Sequence, residues 1–446
     1  MKYNFPEQFT WGAATSSYQI EGAVNAGGRG LSTWDVFCER PGVVSNGDSG
    51  AGACDHYNRW RDDIDVMREL NLAAYRFSLA WPRIFPAGDG APNPEGVSFY
   101  DKLIDGLLEA GIDPYITLFH WDLPQSLQDR FGGWRSRETV KRFADYAAFC
   151  GERFGDRVKN WFTINEIMCF TIIPHAEDRF APGGRLTEKE VNQTVHHALL
   201  GHGYALRALK ESVPDCRVGL VENLAATWPL YETDEHVEAA RKAFRRRNSQ
   251  RLYPALTGQY DEEAYRSEYG EMPNIDEGDM EVIGTKADLI AYNFYNAPPV
   301  VASSGDKGYK ILDLPADYPK TDMGWGITPK GLYWTLRFSS EEFPELPIII
   351  TENGQAAADV QERDGSVMDI GRIEYYRSHL EMCSRAIDEG APLTGYFAWS
   401  LMDNFEWADG YSKRFGLTWV NFRTQERTIK ASGRYYAEVI RANRVL

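Results

Sequence analysis

The chain has 446 residues, 43% of them hydrophobic, and a net charge of −17 at neutral pH. This acidity argues against a nucleic acid or an anionic membrane as partner, and no apolar stretch approaches the roughly 18 residues a spanning helix needs. The six cysteines are scattered, without C-x-x-C or zinc-ligand spacing, and read as reduced core thiols; neither a metal nor a cofactor is expected.

The start, Met1-Lys2-Tyr3-Asn4-Phe5-Pro6, lacks the apolar core of a secretory signal and leads to the expectation of a cytoplasmic protein. A first strand is predicted over Phe9 to Thr15. Trp60, Ile64, Met67 and Leu70 then form a helical stripe before a strand over Ala73 to Leu79. Phe99, Leu103 and Leu107 keep helical spacing up to Gly111, and Pro114 introduces the strand Tyr115 to Phe119. Val140, Phe143, Ala147 and Cys150 precede a strand that begins near Trp161 and ends at Glu166. Leu199, Leu206 and Leu209 precede Val218 to Val221. Strands are also predicted over Ala287 to Phe294 and Pro347 to Ile350. Finally, Ile373, Leu380, Cys383 and Ile387 lead through Gly390 and Pro392 to the strand Thr394 to Trp399.

About eight short apolar strands alternating with amphipathic helices, with no Gly/Ser/Pro linker between them, predict an α/β fold: one (β/α)8 TIM barrel over residues 1–446, with its active site at the carboxyl ends of the strands. An open doubly wound sheet is the alternative. It would place a Gly-rich turn after the first strand, and Gly27-Gly28-Arg29-Gly30 lies well past that point.

In a barrel the strand exits build the site, and here they are chemically one-sided. In order they deliver Gln19, Arg76, His120-Trp121, Asn165-Glu166, Asn223, Asn293 with Tyr295, Glu352, and Trp399 followed by Glu406-Trp407. Amides, a histidine and carboxylates beside indole faces suit a sugar, whose vicinal hydroxyls take paired hydrogen bonds and whose C–H face stacks on aromatic rings. Glu166 and Glu352 each follow a buried run, the second in Thr351-Glu352-Asn353-Gly354. A lone strand-end glutamate is as readily a helix cap or a surface acid; two in one barrel suggest paired-carboxylate chemistry.

The motifs Phe9 to Gly22, Tyr75-Arg76-Phe77-Ser78, Thr163-Ile164-Asn165-Glu166, Thr351-Glu352-Asn353-Gly354 and Asp403-Asn404-Phe405-Glu406-Trp407 occur in the order of glycoside hydrolase family 1. The chain resembles that family over nearly its whole length. The resemblance implies a retaining β-glucosidase with Glu352 as nucleophile and Glu166 as general acid/base. It also implies that Arg76 and Tyr295 support Glu352 and that Asn165 holds the sugar 2-hydroxyl. Gln19, His120, Trp399, Glu406 and Trp407 would form the glycone subsite. The implied substrates are short β-glucosides such as cellobiose and aryl or alkyl glucosides, placing the protein in oligosaccharide degradation, with β-galactosidase, β-fucosidase and transglycosylation side activities. A catalytically inactive sugar-binding barrel and a 6-phospho-β-glucosidase are the alternatives. Glu406-Trp407 and Phe415 argue against the phosphorylated sugar by charge and bulk, despite Lys413.

One departure stands out. The family's usual Asn-Glu-Pro-Trp is Asn165-Glu166-Ile167-Met168 here, and Met168 is expected to give a softer leaving-group wall, with Trp325 as the remaining aromatic platform. His196, His197 and His202 lie on one helix, far from any acidic cluster, and read as core or surface residues rather than metal ligands. Arg245-Arg246-Arg247 reads as a solvated helix face or a subunit contact in a homo-oligomer.

Overall fold

The computed structural model describes residues 3–446. Eight parallel strands form the central sheet: β1 (Thr10–Ala14), β2 (Ala74–Ser78), β3 (Asp113–Phe119), β4 (Asn160–Asn165), β5 (Arg217–Asn223), β6 (Ile290–Asn293), β7 (Ile348–Asn353) and β8 (Leu393–Trp399). They pair in chain order and close where β8 meets β1, with Thr10 opposite Gly395 and Ala14 opposite Trp399. The predicted barrel is therefore the observed architecture. No helix among the described residues is long and apolar enough to cross a membrane.

Each strand is buried on both faces, which is why the runs read as continuously apolar rather than alternating. Ala14, Ala74, Tyr115, Phe162, Ile349 and Phe397 belong to the smaller of two hydrophobic clusters. Small and large side chains interleave there, as a tapered barrel interior requires. At Gly12 a β-carbon would lie 2.4 Å from the Phe397 ring and 2.9 Å from the Ala74 carbonyl oxygen, so a glycine is the residue that fits. The second cluster, much larger, includes the apolar stripes of the helices, among them His56–Glu69, Pro94–Glu109, Arg137–Phe154 and Ile370–Asp388.

Strand boundaries differ from expectation where polar residues continue the backbone pairing. β7 extends through Thr351, Glu352 and Asn353, and β6 is confined to four residues. The ladder loses regular register between Ile350 and Glu352 on the β6 side, between Ile350 and Asn353 on the β8 side, and between Phe162 and Asn165 on β4. Such irregularities re-aim side chains, and these fall on the strands that carry Glu352 and Asn165.

The long excursion between β5 and β6 adds helices and a small sheet of Trp228–Pro229, Pro299–Ala302 and Tyr309–Ile311, which the sequence reading did not include. Within it, Arg247 is half-buried at the end of helix Asp234–Arg247 and donates to the Ala226 carbonyl at 3.3 Å, so that part of the basic run is not a solvated face. The histidines of helix Glu188–Ser212 go to separate partners: His196 to Asp279 and Tyr260, His197 to the Trp134 carbonyl, and His202 to Thr163.

Candidate active site

Glu352 lies near the exit of β7 with its carboxylate held from two sides. The Arg76 guanidinium, reaching across from β2, donates to Oε1 at 2.6 Å, and the Tyr295 hydroxyl donates to Oε2 at 2.7 Å. Arg76 is buried and also donates to Asn165 Oδ1 at 2.6 Å and the Thr117 hydroxyl at 3.1 Å, so its charge is fixed in place. Burial raises the Glu352 pKa above the ordinary carboxylate value. Arg76, then the Tyr295 and Asn293 hydrogen bonds, work against that rise by favouring the ionised form.

Glu166 follows β4 directly and has a different environment. Its Oε1 accepts from the Asn293 amide at 2.7 Å and its Oε2 from the Cys169 thiol at 3.1 Å, and among the described residues no cation is bonded to it. Burial, reinforced by the negative charge of Glu352, pushes its pKa up to about 8. Two buried carboxyl groups are thus treated in opposite ways, one countered by a guanidinium and the other left protonated at neutral pH.

Both line a cavity of about 390 Å³, together with His120, Trp121, Asn223, Tyr295, Trp325, Trp399, Glu406 and Trp407. The volume lies in the range of small-molecule sites. Trp399 and Trp407 lie near-parallel to the His120 ring on centroid distances of 6.0 Å each, and Trp121 is 4.4 Å from Trp407. Burial, and next the Arg76 charge, push the His120 pKa well down, so the ring is neutral. With the Asn165 amide donating to its Nε2 at 3.2 Å, the ring proton is on Nδ1, which has no partner among the described residues. Glu406 is pushed well above the usual carboxylate range by burial, then by the charges of Asp409, Glu352 and Glu166.

The motif residues beside the carboxylates hold the framework. Asn353 donates to the Phe294 carbonyl at 2.6 Å and accepts from the Tyr396 hydroxyl at 2.5 Å, pinning β7 to both neighbouring strands. At Gly354 a β-carbon would meet the Trp399 carbonyl oxygen at 1.7 Å, so the chain passes that closely only as glycine. Asp403 takes hydrogen bonds from Lys430 and Arg414 at 2.6 Å each and from the Gly416 amide at 2.9 Å, anchoring the segment that carries Glu406 and Trp407.

The whole chain matches the model of glycosyl hydrolase family 1, over residues 1–445. The chain belongs to this family. Beta-glucosidase A of Thermotoga maritima is 44% identical over 440 residues, covering 98% of each chain. The bifunctional beta-D-glucosidase/beta-D-fucosidase of Bifidobacterium breve is 41% identical over 460 residues, again 98% of each. The solved family 1 beta-glucosidase structure from Thermotoga maritima superposes with a TM-score of 0.92 at 43% identity, covering all of this chain and 99% of that one.

Within this family 1 barrel, Glu166, Glu352, Tyr295, His120, Trp121, Asn223, Trp325, Trp399, Glu406 and Trp407 converge on one cavity. Arg76, Asn165 and Asn293 stand behind it as a buried network: Asn293 donates to Asn165 at 3.2 Å and accepts from the Thr351 hydroxyl at 2.8 Å. Gln19, expected to read sugar hydroxyls, is buried behind the lining. Its amide donates to Asn404 Oδ1 at 3.0 Å and the Phe405 carbonyl at 2.9 Å, and its Oε1 accepts from Ser16 at 2.6 Å. In this arrangement Gln19 reaches the cavity through the segment it holds and through Glu406, 3.4 Å away.

Met168 departs from expectation most clearly. It does not line the cavity; Cys169 and Ile173 do, with Arg179, Phe180, Met323 and Lys413. Helix Ile167–Thr171 begins immediately after Glu166, so each residue turns about 100° from the last. That step brings Cys169 back beside Glu166 and packs Met168 against the large hydrophobic cluster. Glu222, near the end of β5, is a further buried acid close to Glu166 that the reading of strand exits passed over in favour of its neighbour Asn223.

Proposed function

We propose that the protein is a retaining β-glucosidase that releases terminal β-D-glucosyl residues from short glucosides, with Glu352 as nucleophile and Glu166 as acid/base. The observation that carries this is the contrast between the two carboxyls on one cavity: Glu352 bonded to Arg76 and Tyr295, Glu166 lifted to about 8. Retention requires carboxyls about 5–5.5 Å apart, against roughly 6.5–9.5 Å for inversion. A nucleophile held ionised by Arg76 and Tyr295 beside a protonated acid on the same cavity supports the retaining course.

Glu352 attacks the anomeric carbon as Glu166 gives its proton to the departing oxygen, leaving a glucosyl ester on Glu352. Forming that ester removes the Glu352 charge, the second largest cause of the raised Glu166 pKa. Glu166 then holds its proton less tightly and serves as base. It takes a proton from water, the water oxygen attacks the anomeric carbon, and Glu352 leaves as a carboxylate. An acceptor alcohol in place of that water gives transglycosylation.

Cellobiose and aryl or alkyl glucosides fit the aromatic walls, and the bifunctional Bifidobacterium breve relative supports an accompanying β-fucosidase activity. A 6-phosphate is disfavoured. Asp409 and the Trp407 indole border the cavity, while Lys413 is engaged with the Asp322 carbonyl at 2.7 Å and its carboxylate at 3.2 Å. Initial rates on nitrophenyl β-glucoside, β-galactoside, β-fucoside and 6-phospho-β-glucoside, with Glu352→Ala as control, test the reading. Turnover of the glucoside but not its phosphorylated analogue supports it. Turnover of the phosphorylated sugar alone overturns the glycone assignment, and no turnover with tight sugar binding supports an inactive sugar-binding barrel.

A further inference from the structure

Glu166 has φ 49° and ψ 76°, a left-handed backbone that a residue with a side chain rarely adopts. Something must hold it, because a small rotation there swings the carboxyl away from the cavity. Two backbone groups flank the turn. The Glu166 N–H donates to the Val221 carbonyl at 2.8 Å, and the next N–H, that of Ile167, donates to Glu222 Oε1 at 3.1 Å. The other Glu222 oxygen accepts from Arg251 Nε at 2.8 Å, and both side chains are buried, at 1% and 5% exposure. Arg251 is held in turn by Gln250 Oε1 at 3.2 Å.

The Ile167 amide hydrogen bond exists because residue 167 is not proline. A proline has no N–H to satisfy, fixes its own φ, and is accepted at the first position of a helix, where Ile167 stands. With isoleucine, the chain gains a buried donor and loses that rigidity. A carboxylate at 222, charge-balanced by Arg251, answers both.

We infer that the buried Glu222–Arg251 pair is a positioning device for the acid/base, in which Glu222 clamps the Ile167 amide and so fixes the left-handed backbone of Glu166 in place of a proline ring. The inference rests on the acid/base reading of Glu166. Glu222 makes no contact with the cavity and acts through Glu166, so its loss falls on proton delivery rather than on sugar binding.

The test replaces the pair together, Glu222→Leu with Arg251→Met, since removing one partner strands a buried charge. Rates are measured with and without Ile167→Pro on two substrates. An alkyl β-glucoside needs its leaving oxygen protonated; 2,4-dinitrophenyl β-glucoside does not. The apolar pair is expected to lower kcat/KM on the alkyl glucoside roughly ten- to hundredfold, to leave kcat/KM on the dinitrophenyl glucoside near the wild-type value, and to regain most of the loss when Ile167→Pro is added. Equal losses on both substrates, wild-type rates on both, or no recovery with proline each overturn the inference. If the apolar pair does not fold, Glu222→Gln with Arg251→Met, with and without Ile167→Pro, makes the same comparison with a smaller, several-fold loss. Glu166→Ala, assayed in parallel, separates the two readings. If it lacks the same substrate split, the acid/base assignment fails; if it shows the split and the pair variant does not, only the Glu222–Arg251 inference fails.

Discussion

The floor and the rim of the cavity are built in different ways. Floor residues come from strand exits and are locked by buried hydrogen bonds: Glu352 by Arg76 and Tyr295, Asn165 by Arg76, Asn293 and His120. The rim residues Ile173, Arg179, Phe180 and Met323 come from connecting segments and line the mouth with few such constraints. A bond-making centre must hold its groups to fractions of an ångström. A wall for variable leaving groups needs mainly shape and apolar area. Substitutions at the floor should therefore act on chemistry, and substitutions at the rim on affinity for the aglycone.

The sharpest break of this contrast is at the two carboxylates. Glu352→Ala is expected to lower kcat on nitrophenyl β-glucoside by about 10⁵-fold, as loss of a covalent nucleophile does. Glu166→Ala should cost about 10²- to 10⁴-fold on alkyl glucosides and far less in kcat/KM on dinitrophenyl glucoside. Added azide distinguishes the two by product stereochemistry. It attacks the face vacated in Glu352→Ala to give the α-glucosyl azide, and it attacks the covalent glucosyl ester in Glu166→Ala to give the β-glucosyl azide. Interchanged products would reverse the assignment.

The same pair predicts the pH profile. Glu166 works as its protonated form, so kcat/KM on an alkyl glucoside should hold below and fall as pH rises through about 8. Glu352 works ionised, and activity should fall on the acid side as its carboxylate, lifted by burial, takes up a proton. In Glu352→Gln the charge that helps raise Glu166 is gone. Direct titration of Glu166 by carbon-13 NMR should then give a lower pKa than in the native protein, and an unchanged value would show that burial alone sets it.

How far the sequence disclosed this arrangement follows from where backbone periodicity changes. Buried parallel strands announce themselves as apolar runs, and the polar residues that end them, Asn165, Asn293 and Glu352, are read directly from their positions. Beyond Glu166 the repeat passes from two to 3.6 residues within one left-handed residue, and Met168, expected on the wall from its place in the Asn-Glu-Pro-Trp pattern, lies off the lining where Cys169 and Ile173 stand. Glu222 was hidden for another reason. An acid at a strand end looks solvated until its partner is known, and Arg251 lies 29 residues away in the excursion that follows β5. Gln19 shows the same limit, since its amide is engaged by the segment of Asn404 and Phe405, 385 and 386 residues distant.

Tyr295→Phe tests the floor more gently. It removes one hydrogen bond to a buried carboxylate, a contact of about 1.5–3 kcal/mol to a charged group, while leaving the ring against Trp325, 5.2 Å away. The expected result is a kcat roughly ten- to hundredfold lower, with the acid limb of the pH profile moved to higher pH because the ionised form of Glu352 has lost a donor. A change in KM alone would assign the hydroxyl to sugar binding instead.

The smallest effects belong to the rim, and they discriminate between neighbours. Ile173 lines the cavity whereas Met168, five residues earlier, does not, although both pack against the large hydrophobic cluster. Across a series of alkyl β-glucosides of increasing chain length, Ile173→Ala should remove apolar contact with the longer aglycones, raising KM by several-fold for octyl but little for methyl. Met168→Leu conserves volume at a position off the cavity lining, so KM should stay flat along the same series. A chain-length dependence in Met168→Leu would return that side chain to the wall, and its absence in Ile173→Ala would move the aglycone path to the Trp325 side of the mouth.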